Sequence, residues 1–303
     1  MRIIFLGTSG SMPTPERGSA SVAVRRKGEV ILMDCGEGTQ RRMVEARIGF
    51  RRSMHILISH LHGDHILGLP GLLQTMTLLR RERDLDIYGP EGLVDFLTCI
   101  CKTIGRPGFT VRIHEIQRPE IIHSNLEYQI KAIEADHNMD AWSYALEERP
   151  RPGRFHPERA NELGVPEGYL WKRLQHGEDI RLSNGRVVKS EEVVDPPRRG
   201  RKIVYSGDTR PSYDLEKLAE GADVLIHEAT FDDALEERAE EDGHSTARQA
   251  AILARRAGAH KLFLTHISSR YPDPSILLEQ AQEVFPDTII AKDLMEVEVQ
   301  LID

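Results

Sequence analysis

Six residues, His60-Leu61-His62-Gly63-Asp64-His65, constrain this chain more than any other stretch. They follow directly on His55-Ile56-Leu57-Ile58-Ser59, an apolar run that reads as a buried strand. Imidazoles and a carboxylate therefore leave the end of one rigid element together. In extended backbone His60 and His62 point to one side, because side chains alternate with period two. Gly63 permits a sharp turn, and Asp64 and His65 arrive just beyond it. A polar loop that happens to be rich in histidine is the bland alternative. Imidazole and carboxylate at this spacing are nevertheless the donors zinc prefers, and their geometry suits two adjacent ions better than one.

The same pattern, an apolar run closed by a ligand-type residue, recurs along the chain. Residues 29–33 end at Asp34-Cys35-Gly36-Glu37-Gly38-Thr39, residues 126–135 at Asp136-His137, and residues 202–206 at Gly207-Asp208-Thr209. Residues 222–226 end at His227-Glu228-Ala229-Thr230, and residues 261–265 at His266. Loops at the carboxyl ends of strands in layered α/β proteins converge on one site. The donors then divide between two metals: His60, His62 and His137 on one, Asp64, His65 and His266 on the other, with Asp208 bridging. Taken singly, His137, Asp208 and His266 could as well be caps or satisfied core groups. Asp34 reads as a functional group or a helix cap, close to the histidine loop if their strands are neighbours. His244-Ser245-Thr246 caps a helix over residues 247–256.

Further strands are expected over residues 2–7, 20–25, 85–88, 110–116, 288–292 and 296–302. Helices are expected over residues 40–46 and 92–104, and another running to about Arg83. A chain of 303 residues can bury a large core without disulfide staples, and residues 1–303 read as one domain. Residues 149–176 interrupt it with Pro and Gly, a short helix at 157–163, the aromatics Tyr169 and Trp171, and six Arg or Lys against three Glu. They read as an inserted arm, either a surface lobe or, with exposed basic and aromatic side chains, an RNA contact.

Cys35, Cys99 and Cys101 are odd in number and fit a reducing compartment. No apolar run approaches the ~20 residues of a membrane span, which leaves the cytoplasm as the default. The net charge is −8, and residues 223–242, with nine acidic side chains and Arg238, carry all of that surplus. Elsewhere the balance is neutral, with basic clusters at Arg25-Arg26-Lys27, Arg41-Arg42, Arg51-Arg52, Arg80-Arg81, Lys172-Arg173 and Arg198-Arg199-Gly200-Arg201-Lys202. Such clusters are usually solvated loop tips, and they form a phosphate-binding face only if folding gathers them.

His60 to His65 spells His-x-His-x-Asp-His, and so resembles the metallo-β-lactamase fold superfamily. Phe5-Leu6-Gly7-Thr8-Ser9-Gly10, the segment from Asp34 to Gln40, Ser206-Gly207-Asp208-Thr209, His227-Glu228-Ala229-Thr230, His244-Ser245-Thr246 and the segment from Leu264 to Tyr271 narrow the resemblance. In this order, and over nearly the whole chain, they are similar to the motifs of the tRNase Z (ribonuclease Z) family in its short form. The resemblance implies a four-layer αββα metallo-β-lactamase fold with a protruding arm, and two zinc ions (Zn2+) per chain. It also implies a metal-dependent phosphodiesterase that removes the 3′ trailer from precursor tRNA, leaving a 3′-hydroxyl on the tRNA and a 5′-phosphate on the trailer.

Within that resemblance Asp64 binds metal and accepts the proton of the attacking water. His244 is the candidate general acid, oriented and kept protonated by Glu228, although helix capping beside Ser245 would also explain it. Arg270, Ser268, Ser269 and Arg17 are the implied substrate contacts. Residues 149–176 resemble the arm that grips the tRNA elbow and, in a homodimer, serves the partner's site. The segment Pro13-Thr14-Pro15-Glu16-Arg17-Gly18 departs from the family's Pro-x-Lys-x-Arg-Asn, and Pro152-Gly153 stands where Gly-Pro is usual. A small-ester hydrolase of the same fold would share the donors but has no need of a basic arm. A non-enzymatic RNA binder would gain nothing from a poised acid such as His244.

Overall fold

Short runs of β-branched and aliphatic residues build two seven-stranded sheets. The computed structural model describes residues 1–301. It divides into one unit of Met1–Asn125, Gln129–Glu147 and Lys202–Gln300, and another made chiefly of Glu148–Arg201. In the first unit one sheet runs in the order Glu296–Glu298, Arg2–Gly7, Ser21–Arg26, Glu29–Met33, Ser53–Leu57, Leu85–Gly89, Val111–Glu115. The other runs Thr288–Ile290, Leu262–Thr265, Val224–Glu228, Lys202–Tyr205, Trp142–Glu148, Tyr128–Glu134, Glu120–Ser124.

Alternation along the strands sets the layers. Ile4, Leu6, Leu32 and Ile56 turn one face of the first sheet to a core shared with Met43, Leu69, Leu72 and Leu93 of the helices Thr39–Glu45, Leu69–Leu78 and Leu93–Ile104. Val204, Leu225 and Leu264 do the same for the second sheet, against Leu215, Ala250 and Leu277 of Tyr213–Leu218, Ala247–Arg256 and Ser275–Gln282. The opposite faces meet between the sheets, where the Phe5 and Phe263 rings lie 5.3 Å apart. Helix, sheet, sheet and helix are the four layers expected. No helix among the described residues is long and apolar enough to cross a membrane.

The structure departs from expectation in a few elements. The helix expected to reach Arg83 stops at Leu78, because Arg80 adopts a left-handed backbone (φ +52°) and Arg81 turns inward. There the Arg81 guanidinium donates to the carbonyls of Phe50, Arg52, Arg83 and Asp84 at 2.7–2.8 Å. The strands Glu120–Ser124 and Trp142–Glu148 are additions, as are the helices Tyr213–Leu218, Glu236–Asp242 and Ser275–Gln282.

The second unit has its own small core. Ala160, Val165, Leu174, Ile180, Val188 and Val193 are buried in it, contributed by the helices Pro157–Glu162 and Tyr169–Gln175, the hairpin Ile180–Arg181 with Val187–Val188, and the loops between. Trp171 belongs to this core, its ring 5.1 Å from Phe155 and its Nε1 donating to the Val165 carbonyl at 3.1 Å. Of the two aromatics expected to be exposed, only Tyr169 is, at 75%.

The turn after Glu29–Met33 locks against the histidine loop. Cys35 donates its N–H to the His65 carbonyl at 2.8 Å, and Gly68 donates to Cys35 at 2.9 Å. The approach is so close that a Cβ on Gly36 would lie 2.1 Å from the Asp64 carbonyl oxygen. Gly36→Ala is therefore expected to lower the unfolding free energy by ~1–3 kcal/mol, the usual cost of overpacking, as read by denaturant titration.

Candidate metal centre

Every donor stands at a carboxyl end of a strand. The parallel neighbours Glu29–Met33 and Ser53–Leu57 deliver Asp34 and the loop from His60 to His65. Lys202–Tyr205, Val224–Glu228 and Leu262–Thr265, also parallel neighbours, deliver Asp208, Glu228 and His266. Tyr128–Glu134 delivers His137. Gly63 opens a single helical turn, Gly63–Ile66, that places Asp64 and His65.

The structure brings all seven candidate donors together. Ligand atoms of His60, His62, His137 and Asp208 lie within 4.8 Å of one another, as do those of Asp64, His65 and His266. Asp208 Oδ2 joins the sets, 3.6 Å from His60 Nε2, 3.4 Å from His65 Nε2 and 3.2 Å from His266 Nε2.

Hydrogen bonds on the far side of the His60, His65, His137 and His266 rings decide which nitrogen is free. His65 Nδ1 donates to Asp34 Oδ2 at 2.7 Å, and His137 Nδ1 to the Gly243 carbonyl at 2.7 Å. Thr230 Oγ1 gives its proton to Glu228 Oε2 at 2.7 Å, so it accepts from His266 Nδ1 at 2.9 Å. Ser59 Oγ donates to Asp34 Oδ2 at 2.8 Å and accepts from His60 Nδ1 at 3.0 Å. Assigned from this network, the ring protons of His60, His65, His137 and His266 sit on Nδ1, whereas His62 turns its Nδ1 toward His60 Nε2 at 2.9 Å. The Nε2 lone pairs of His65 and His266 then face each other at 3.2 Å, which is repulsive unless a cation lies between them. This donor set fits a metal, with the outer-shell partners such sites use.

The electrostatics agree. Burial, with His65 nearby, drives the pKa of His60 well below the ordinary imidazole value, and burial and His137 lower that of His62. Both are neutral, as ligands must be. Burial would raise the Asp208 pKa, but His266 and His65 hold it well below the carboxylate range. Asp64 is likewise lowered against burial, by the His266 hydrogen bond and the His65 charge. Burial works against a charged His65, yet Asp208 and Asp34 outweigh it and raise its pKa strongly. The position such a proton takes is the one a metal would fill.

Glu228 and His244 stand beside the donors. His244 Nδ1 lies 2.9 Å from Glu228 Oε1 and 3.9 Å from Asp208 Oδ2. Burial opposes protonation of His244, but Glu228 and Asp208 lift its pKa to about 9. The helix cap beside it is Thr246, whose side chain accepts from Gln249 N, so His244 is free of capping.

The expected RNA contacts are more dispersed. Arg270 is exposed, its guanidinium 5.4 Å above the Phe231 ring, and Ser268 Oγ accepts from the Arg270 N–H at 3.4 Å. Arg17 turns inward and donates from Nη1 to Thr8 Oγ1 at 2.8 Å and to the Ala291 carbonyl at 3.0 Å. Sequence reasoning missed Ser11, whose N–H meets Asp64 Oδ2 at 2.7 Å, and Tyr205, whose hydroxyl donates to Asp34 Oδ2 at 2.6 Å. Thr230, within the motif His227-Glu228-Ala229-Thr230, is a further one, since its hydroxyl joins Glu228 to His266.

Removing Asp34 strips an acceptor from His65, Ser59 and Tyr205 at once. Asp34→Ala is expected to weaken metal binding about 10- to 100-fold, as for other outer-shell partners, in a chelator competition assay.

Two family models match parts of the chain: "Anti-Pycsar protein Apyc1" over residues 1–147 and "Beta-lactamase superfamily domain" over residues 190–267. A ribonuclease Z of Haloferax volcanii is 47% identical, over 100% of this chain and 96% of that protein. One of Methanosarcina mazei is also 47% identical, over 99% and 98%. Among solved structures, human tRNase Z, short form, superposes with a TM-score of 0.73 at 29% identity, covering 99% of this chain and 100% of that one.

Proposed function

The chain belongs to the ribonuclease Z family of tRNA 3′-processing endoribonucleases, and from that premise we propose that it cuts with two zinc ions held by the seven donors. The proposed products are tRNA ending in a 3′-hydroxyl and a trailer beginning with a 5′-phosphate. The observation that carries the chemistry is the 2.9 Å contact of Glu228 with His244 at the rim of the donor cluster. It sets an acid next to a place where a phosphate can be bound.

His60, His62 and His137 would hold one ion, Asp64, His65 and His266 the other, with Asp208 between them. Such a pair, when bound, lowers the pKa of a water and neutralises charge on the phosphate. Asp64, kept ionised, accepts the proton of that water. Glu228 holds His244 by Nδ1, which leaves Nε2 to protonate the departing 3′-oxygen. Thr230 links Glu228 to His266, so the acid and the metal donors share one hydrogen-bonded frame.

Arg270, Ser268 and Ser269 are the contacts we assign to the RNA at the site. Arg17, with Nη1 committed to the fold, offers the RNA only the rest of its guanidinium. Residues 149–176 are proposed as the tRNA-gripping arm of a single nuclease domain, with exposed Tyr169 and half-buried Arg173, whose guanidinium lies 6.0 Å over that ring, as its contact surface. We further propose a homodimer working in the cytoplasm, where Cys35, Cys99 and Cys101, all free, would stay reduced.

Zinc-loaded protein incubated with a precursor tRNA bearing a 3′ trailer, with both product ends mapped, tests this directly. A cut beside the discriminator base, lost in Asp64→Ala and on chelation, is expected; no cut at full metal occupancy sinks the proposal. The pH profile tests the acid. Against burial, Glu228, bonded to Nδ1, raises the His244 pKa above the ordinary imidazole value, so the proton is held through neutrality and kcat/KM should fall on the alkaline side. In Glu228→Gln the alkaline limb should move down toward the ordinary imidazole value of ~6.5.

A further inference from the structure

Arg210 stands two residues beyond Asp208 and has no part in the chemistry above. Its side chain is only 17% exposed, and its nitrogens are engaged on several sides. Nη1 donates to Asp136 Oδ1 at 3.1 Å, Nη2 to Asn138 Oδ1 at 2.6 Å, and Nε to the Glu240 carbonyl at 2.7 Å. Its backbone N–H donates to the Asp136 carbonyl at 2.7 Å. Asp136 and Asn138 flank His137, so the arginine grips that donor's loop on both sides.

Glu240 lies in the helix Glu236–Asp242, whose end leads directly into Gly243 and His244. The same helix end presents the Glu241 carbonyl to Asn138 Nδ2 at 2.9 Å and the Gly243 carbonyl to His137 Nδ1 at 2.7 Å. Gly243 has φ +81°, and a Cβ there would lie 2.8 Å from His137 Nδ1. Only glycine allows so close an approach in that conformation. Carbonyls at a helix end carry partial negative charge, and a planar guanidinium can neutralise them while reaching several acceptors at once.

We propose that Arg210 is a positioning residue: it fixes the His137 loop to the helix end that carries His244, so that the metal donors and the general acid address the same phosphate. The inference rests on the nuclease reading, and its test reads metal retention as well as cleavage. Wild type, Arg210→Ala and Arg210→Lys are compared for kcat and KM on trailer-bearing precursor tRNA, for zinc retained on dialysis against a weak chelator, and for thermal melting.

Arg210→Ala is expected to lose about 10- to 100-fold in kcat with little change in KM, and to retain less zinc. Added guanidinium ion should restore part of that kcat. Arg210→Lys should restore little, since one ammonium cannot span the three side-chain bonds. Wild-type kcat and zinc retention in Arg210→Ala, a loss confined to KM, or full rescue by lysine would overturn the proposal. Should Arg210→Ala fail to fold, Asn138→Ala decides: it is expected to show a smaller kcat loss at unchanged KM, and wild-type behaviour there counts against the proposal. If zinc-loaded wild type leaves the trailer uncut, the nuclease reading fails, and zinc retention alone then decides the role of Arg210.

Discussion

Asp34 adopts a left-handed backbone (φ +58°) at the end of its strand, wholly out of contact with water, and both its carboxylate oxygens are taken up. One accepts from the Ser59 backbone N–H at 2.7 Å; the other meets the Ser59 hydroxyl, the Tyr205 hydroxyl and His65 Nδ1 at 2.6–2.8 Å. A buried carboxylate is costly unless charge-assisted hydrogen bonds surround it. Here they come from the histidine loop and from the second sheet, so satisfying this group also sets the distance between the two halves of the sandwich. Tyr205 keeps its proton, first through burial and then through Asp34 itself. His65 consequently has one tautomer and one orientation, and the remaining donors arrange themselves about it.

The distribution of charge follows a similar economy. Arg81 is spent on backbone carbonyls, Arg42 on Asp293 and Glu45, and Arg201 on Glu148. Members of three basic clusters are therefore structural struts, and a phosphate-binding face has to be drawn from the others. The acidic surplus is put to local use as well. Its helix, Glu236–Asp242, ends in the carbonyls that hold Arg210, Asn138 and His137.

Strand ends were legible in the sequence because burial forces strands to be apolar and the site forces them to stop at a polar donor. Glu29–Met33 before Asp34 and Leu262–Thr265 before His266 carry both signals within a few residues. Glu120–Ser124 carries neither: it is a partly exposed edge strand of mixed polarity. Trp142–Glu148 is buried along most of its length, but its Ala-Leu-Glu-Glu half suits a helix equally well, and only its neighbours in the sheet decide. Seven donors could be grouped from spacing, yet the bonds that orient them could not. Tyr205 meets Asp34 across 171 positions and Gly243 meets His137 across 106, and no local pattern reports a contact of that range.

The small core of the second unit has a consequence for how such a chain can change over generations. Val165, Leu174, Ile180 and Trp171 bury one another without drawing on either sheet of the larger unit. A substitution on the surface of that unit is absorbed by a core that shares no residue with the metal donors. The part of the chain proposed to meet RNA is thus free to drift with its target, while the histidines and aspartates, each tied to several others, have almost nowhere to go.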